Sequence, residues 1–180
     1  METEFAGQLR TTHRSFVLVA EDRIDRTFRD YHRAHRQAAA RQDEDSPRFQ
    51  IPGAGHPYPR CSLPALEAGL WVRDTFPDRF TAFDLAVFEA FFSRTEDISD
   101  LDVLRRLADR CGVDGTALAD VIREARCRER VLAEYREALD MGIRGVPAVA
   151  MPGRLPIVGA VPYPELRRAI EAVLRGAGGA

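Results

Sequence analysis

The thiols that could carry disulfide or nucleophilic chemistry in this sequence are three cysteines, at positions 61, 111 and 127. No two of them are separated by two residues and the closest pair is sixteen apart, so the chain holds neither a Cys-x-x-Cys couple nor a zinc-type pairing. Cys111 continues a stripe of Leu101, Leu104 and Leu107, and Cys127 falls at a junction between two helical patterns. A thiol at such places packs like a small hydrophobe. Cys61 differs, because it follows Tyr58-Pro-Arg and immediately precedes Ser62, a candidate helix N-cap. The partial positive charge of a helix start favours a thiolate, which makes Cys61 the candidate catalytic thiol. The four histidines, His13, His32, His35 and His56, are scattered, and no carboxylate spacing completes a ligand set, so no metal site is expected.

What is missing narrows the chemistry further. All 26 Lys and Arg residues are Arg, and neither Lys nor Asn occurs anywhere, which excludes Schiff-base enzymes, P-loop nucleotidases and N-glycosylated surfaces. Adjacent acids such as Glu96-Asp97 carry no signal among 28 acidic residues. Several glycines lie between Gly142 and Gly153, but none forms a G-x-G-x-x-G leading into a helix, so no dinucleotide or other cofactor is expected. A net charge of −2 gives no field that would recruit nucleic acid or an anionic membrane. No apolar run approaches the roughly 20 residues of a membrane span, and the first residues, METEFAGQLRTTHR, lack the pattern of a signal peptide. The chain reads as a soluble, cytoplasmic globular protein, with 45% apolar and 30% charged residues.

The elements that must position these residues follow from periodicity. Thr3 to Leu9 has room for about two turns of helix. Arg14 to Val19 is a short β-branched run, expected as a buried strand. Ile24, Phe28, Tyr31 and His35 then mark an amphipathic helix from about 21 to 41, whose six Arg are interleaved with four acids as on a solvated face. Residues 43 to 61 are too rich in Pro and Gly for a helix and read as a loop. From Ser62 to 141 the pattern is helical: two helices broken near Pro77, the second widened by Phe88 and Phe92 so that it should be buried on most sides. A short helix follows, capped by Ser99 with Asp102 and stopped by Gly112, then one capped by Asp114 and one ending before Gly142. Val146 to Met151 and Leu155 to Gly159 flank Pro152-Gly153 as a β-hairpin, and a last helix runs from Pro164 to Arg175.

These segments carry a family resemblance. Gly142-Ile-Arg-Gly-Val-Pro-Ala-Val, Gly153-Arg, Ile157-Val-Gly-Ala and the closing helix resemble the C-terminal half of the DsbA-like branch of thioredoxin-fold oxidoreductases, with the cytoplasmic FrnE-like group most similar. Pro59-Arg-Cys-Ser-Leu-Pro-Ala-Leu-Glu-Ala, Phe83-Asp-Leu-Ala-Val-Phe-Glu-Ala-Phe-Phe and Asp97-Ile-Ser-Asp-Leu-Asp-Val-Leu extend the similarity to residues 10 to 175. The resemblance implies an α/β thioredoxin-like fold, one domain over 1–180 with a helical insertion over 62–141, N-terminally truncated. In the family a strand and a Cys-x-x-Cys turn precede the strand that Arg14 to Val19 matches. No residue of this chain inherits those two sulfurs.

By the same resemblance Pro147 is the cis-proline that faces the active site, with Gly145 and Val146 offering backbone to an added substrate strand. The expected function is that of a thiol-disulfide oxidoreductase homologue acting on thiol or peptide substrates, redox-inactive as it stands. The alternatives are a relative of kappa-class glutathione transferases or hydroxychromene-carboxylate isomerases, and a non-catalytic peptide-binding or assembly module. Sheet edges left open by the absent strand would favour a homodimer.

Overall fold

The computed structural model of the chain describes residues 4–41 and 48–177. Its elements are α1 (Asp30–Ala39), α2 (Leu63–Thr75), α3 (Pro77–Phe92), α4 (Leu101–Arg110), α5 (Gly115–Arg123), α6 (Arg128–Asp140), β1 (Ala148–Val149), β2 (Ile157–Val158) and α7 (Tyr163–Ala177). They fall into two compact units, Val17–Leu132 and the pair of segments Met1–Phe16 and Ala133–Ala180. No helix of the described residues is long and apolar enough to cross a membrane.

The core of Val17–Leu132 is built by α2 to α5. Ala68 and Val72 of α2, Phe83 and Ala90 of α3, Leu104 and Leu107 of α4 and Leu118 and Ile122 of α5 close on one another. Each large side chain removed from water there contributes about 1.5–3 kcal/mol. The boundaries come from local chemistry. Asp114 caps α5 by accepting from the Thr116 and Ala117 N–H groups at 2.9 and 3.0 Å. Gly112, at φ +72°, ends the turn after α4. The α4 cap is Asp100, which accepts from the Asp102 N–H at 2.8 Å. Ser99, the residue expected there, instead binds Asp97 Oδ1 through its hydroxyl at 2.5 Å. Residues 62–141 are not helical throughout: 93–100, 111–114 and 124–127 lie outside the helices.

Three expectations fail for non-local reasons. Arg14 to Val19 forms no strand, and side chains take up the donors of Ser15 and Val19. Ser15 N–H donates to Glu134 Oε2 at 2.7 Å, and Val19 N–H donates to Ser62 Oγ at 3.0 Å while its carbonyl accepts from Ser62 N–H at 2.9 Å. That contact also explains why Ser62 caps nothing. The second failure is the start of α1, which lies at Asp30 and not near 21. Residues 26–28 pair with the 55–58 loop, through a Thr27–Pro57 bridge, Phe28 N–H to His56 O at 2.7 Å and Tyr58 N–H to Arg26 O at 3.1 Å. Phe28 is buried by this, whereas Ile24 and Tyr31 are left exposed. The third is α3, whose Leu85 and Phe88 are 63% and 53% exposed. Near the N-terminus residues 4–8 form turns around Gly7 at φ +76° and no helix, and Thr3 lies outside the described residues. The expected 43–61 loop is irregular over 48–61, its earlier part also lying outside them.

In the other unit the hairpin forms as expected. Ala148 pairs with Val158 and Val149 with Ile157, antiparallel. The turn between them carries Gly153 at φ +68°, a left-handed conformation that suits Gly.

Candidate functional site

The residues singled out for function lie in two places, which are described separately. The first is the hairpin. Helix α6 ends in a glycine turn: Gly142, at φ +81°, donates to Leu139 O at 3.0 Å and Ile143 to Ala138 O at 2.9 Å. The Arg144 guanidinium adds a further donor to Leu139 O at 2.5 Å. The chain leaves this turn through Gly145 into a cis Val146–Pro147 peptide bond and then β1. Pro147 O accepts from Gly159 N–H at 2.8 Å, which extends the pairing with β2 by one rung. β1 has β2 as its only ladder partner among the described residues, so its other edge carries no strand. Val146, at the head of that edge, is 48% exposed.

The second place is a cleft of about 300 Å³ beside the start of α2, lined among others by Asp22, Arg60, Cys61, Pro64, Ser99 and Arg128. Cys61 is half-buried there. Its sulfur accepts from Leu63 N–H at 3.4 Å and its thiol donates to Ala20 O at 3.7 Å. The sulfur thus stands in for a side-chain cap at a helix whose Ser62 hydroxyl is engaged elsewhere. Arg60 pairs with Asp22 at 3.1 Å, and its backbone N–H donates to Ser99 Oγ at 3.1 Å. Arg128, 44% exposed, donates through Nε and Nη2 to Glu67 Oε1, both at 2.9 Å.

Glu67 is the residue sequence reading missed. Its side chain is fully buried, and Oε2 has no hydrogen-bond partner among the described residues. Burial pushes its carboxyl above the usual carboxylate range, against the lowering effect of Arg128. A signal was present: Glu67 falls between Leu63 and Leu70 at i+4 on an apolar stripe, where an acid is out of place. The buried Cys127 thiol is pushed up by burial and by this same Glu67 carboxylate. The Cys111 thiol is pushed up by burial. Of the three, Cys61 is the thiol that lines this cleft.

A second missed residue is Arg36, 4% exposed and four residues beyond His32 on the Phe28 face of α1. Its guanidinium donates to Gln50 O at 2.7 Å, Phe91 O at 3.1 Å and Phe92 O at 3.3 Å. It lies 4.8 to 5.8 Å from the ring centroids of Phe28, Tyr58, Phe91 and Phe92. It closes the C-terminal end of α3, where unsatisfied carbonyls favour a cation. His32 stacks on Tyr58 at 4.5 Å, and burial followed by Arg26 and Arg29 holds its pKa below the ordinary value. Among the described residues no three His, Cys, Asp or Glu side chains gather as a metal-binding group.

Comparison with known proteins separates the two places. The model of the DSBA-like thioredoxin domain matches residues 77–171. The chain belongs to the DSBA-like thioredoxin family. The matched span begins with α3 and ends within α7, so it contains Gly145, Val146 and Pro147 and leaves Cys61 outside. Among solved structures the chain is similar to the crystal structure of "a putative protein disulfide isomerase from Nitrosomonas europaea", with a TM-score of 0.69 and 22% identity over 84% of this chain and 78% of that one. At that identity the likeness establishes the thioredoxin-like fold. No curated protein matches the chain in sequence.

Proposed function

We propose that this DSBA-like protein acts on protein thiols and disulfides by holding an extended substrate segment along the open edge of β1. The observation that carries the reading is that among the described residues β1 is paired on one side only, with exposed Val146 at the head of the other, inside the span that matches the family. An extended peptide added there takes up the unpaired backbone groups, and pockets for alternate side chains supply selectivity. Gly145 and Val146 are the backbone contacts, and Pro147 fixes the entry to the strand. In this reading the protein works in the cytoplasm, which its free cysteines fit.

Disulfide exchange by these 180 residues stops half-way. A Cys61 thiolate attacking a substrate disulfide forms one new S–S bond and releases one substrate thiolate. Regenerating Cys61 then needs a second thiol to attack that bond, and none stands two residues away. In this reading these 180 residues bind thiol substrates without dithiol turnover, which also supports the reading of a non-catalytic peptide-binding module. Titration of an unfolded cysteine-containing peptide into labelled protein, followed by amide chemical shifts, tests the site. Saturable shifts centred on 145–149 are expected. Saturable binding that leaves 145–149 unperturbed would refute the edge as the substrate site.

A further inference from the structure

Arg36 carries its N–H donors in a rigid fork, and a buried nitrogen of that fork needs a partner, because a charged group left unpaired in the interior is costly. Nη1 donates to Gln50 O at 2.7 Å and Phe92 O at 3.3 Å, and Nη2 donates to Phe91 O at 3.1 Å. Nε is buried too, yet it has no hydrogen-bond partner among the described residues. Arg36 borders a cavity of about 10 Å³, lined among others by His56, Tyr58, Thr95 and Glu96. That volume holds about one water molecule and nothing larger. A cavity walled only by apolar groups stays dry, whereas this one has a guanidinium side chain in its wall.

We propose that this cavity is a binding site for one water molecule, held as the partner of Arg36 Nε. A buried water makes about three hydrogen bonds. It accepts the first from Arg36 Nε–H. The other two partners are Thr95 O and His56 Nε2, which stand 3.5 Å apart, at the outer limit of a direct hydrogen bond. A water beside them reaches both at ordinary distances. It donates one proton to Thr95 O, and it either donates the second to His56 Nε2 or accepts from Nε2–H, according to the tautomer of the ring. Glu96 does not compete, because its Oε1 accepts from Arg94 at 2.5 Å and its Oε2 accepts from Arg106. The backbones that carry these groups are held by other bonds: Phe28 N–H donates to His56 O at 2.7 Å and Glu96 N–H to Ala90 O at 2.9 Å. Thr95 between Arg94 and Glu96 has φ +56°, a conformation unfavourable for a β-branched residue, so this turn has to be fixed by its surroundings. The water ties the Thr95 carbonyl to α1 and to the loop that carries His56.

The proposal is independent of the substrate edge, and its test uses the unaltered chain, so no variant has to fold. In protein made with nitrogen-labelled arginine, the Arg36 Nε–H is observed by magnetic resonance and its cross-peak to water is recorded in laboratory-frame and rotating-frame Overhauser spectra. Opposite signs in the two spectra are expected, as dipolar contact with a held water requires. Proton exchange with solvent, or passing hydration water, gives one sign in both, and that result overturns the proposal. A crystal structure that shows ordered waters serves equally where exchange broadens the Nε–H signal. It should place a single water within about 2.7–3.2 Å of Arg36 Nε and within hydrogen-bond reach of Thr95 O or His56 Nε2. Arg36 Nε paired directly with a protein oxygen, or left with no ordered water beside it, is the contrary result.

Discussion

Breaking the Glu67–Arg128 pair from its two sides should give unequal results. Glu67 is fully buried with one oxygen unpartnered, whereas Arg128 is 44% exposed. Arg128→Met strips the counter-charge from a carboxylate that cannot reach water. Removing one partner of a fully buried pair costs about 3–5 kcal/mol, and with Arg128 partly in solvent we expect about 2–4 kcal/mol. Glu67→Met removes the buried charge and leaves behind a guanidinium that is already half in water, so a change within about 1 kcal/mol is expected. The double variant should resemble Glu67→Met, giving a coupling of about 2–4 kcal/mol in the cycle.

The pH dependence fixes the sign. Burial raises the folded-state pKa of Glu67 above the unfolded value, so between the two values the folded state binds more protons and stability falls as pH rises. Without Arg128 the folded value rises further, because the lowering influence is gone. The penalty of Arg128→Met should then be largest at pH 8 and shrink as pH falls towards 5. The readout is urea unfolding followed by the fluorescence of Trp71, the one tryptophan, which lies one turn from Glu67 on α2. A Glu67→Met cost exceeding that of Arg128→Met, or an Arg128→Met cost constant across this range, would show that the buried carboxylate is not what Arg128 holds in place.

Arg36→Lys should destabilise the protein by about 2–3 kcal/mol, since one ammonium cannot span the carbonyls of Gln50, Phe91 and Phe92 among four rings; a thermal melt no different from wild type contradicts this. Gly115→Ala should cost about 2–4 kcal/mol, because its Cβ would lie 2.5 Å from Arg105 O and 2.7 Å from Asp109 Oδ1. A stable Gly115→Ala protein would mean that the start of α5 shifts freely. In timed alkylation mapped by mass spectrometry Cys61 should react first and Cys127 last, with Cys111 between them, and early labelling of Cys127 is the adverse result. The 180-residue chain should show no insulin-reductase turnover, and Cys61→Ser should leave that unchanged; turnover lost on that substitution would make Cys61 a true nucleophile.

Elements set by neighbouring residues were legible in the sequence. The stripes of α4, α5 and α7, the Asp114 cap, the Gly112 and Gly142 stops and the Pro152-Gly153 turn each depend on contacts within a few positions. The family was legible for the same reason, since Gly145-Val-Pro and the hairpin after it are contiguous. Tertiary structure alone decided the rest. Residues 26–28 left a helical pattern because 55–58 offered them hydrogen bonds, and 14–19 lost its ladder because Glu134 and Ser62, distant in sequence, took its donors. Arg36 reads locally as a surface charge, and Glu67 as an acid on an apolar stripe with no partner near it in sequence. They are buried because Arg128, and the carbonyls at the end of α3, lie where only the folded chain brings them, and a charge enters the interior only where such partners wait.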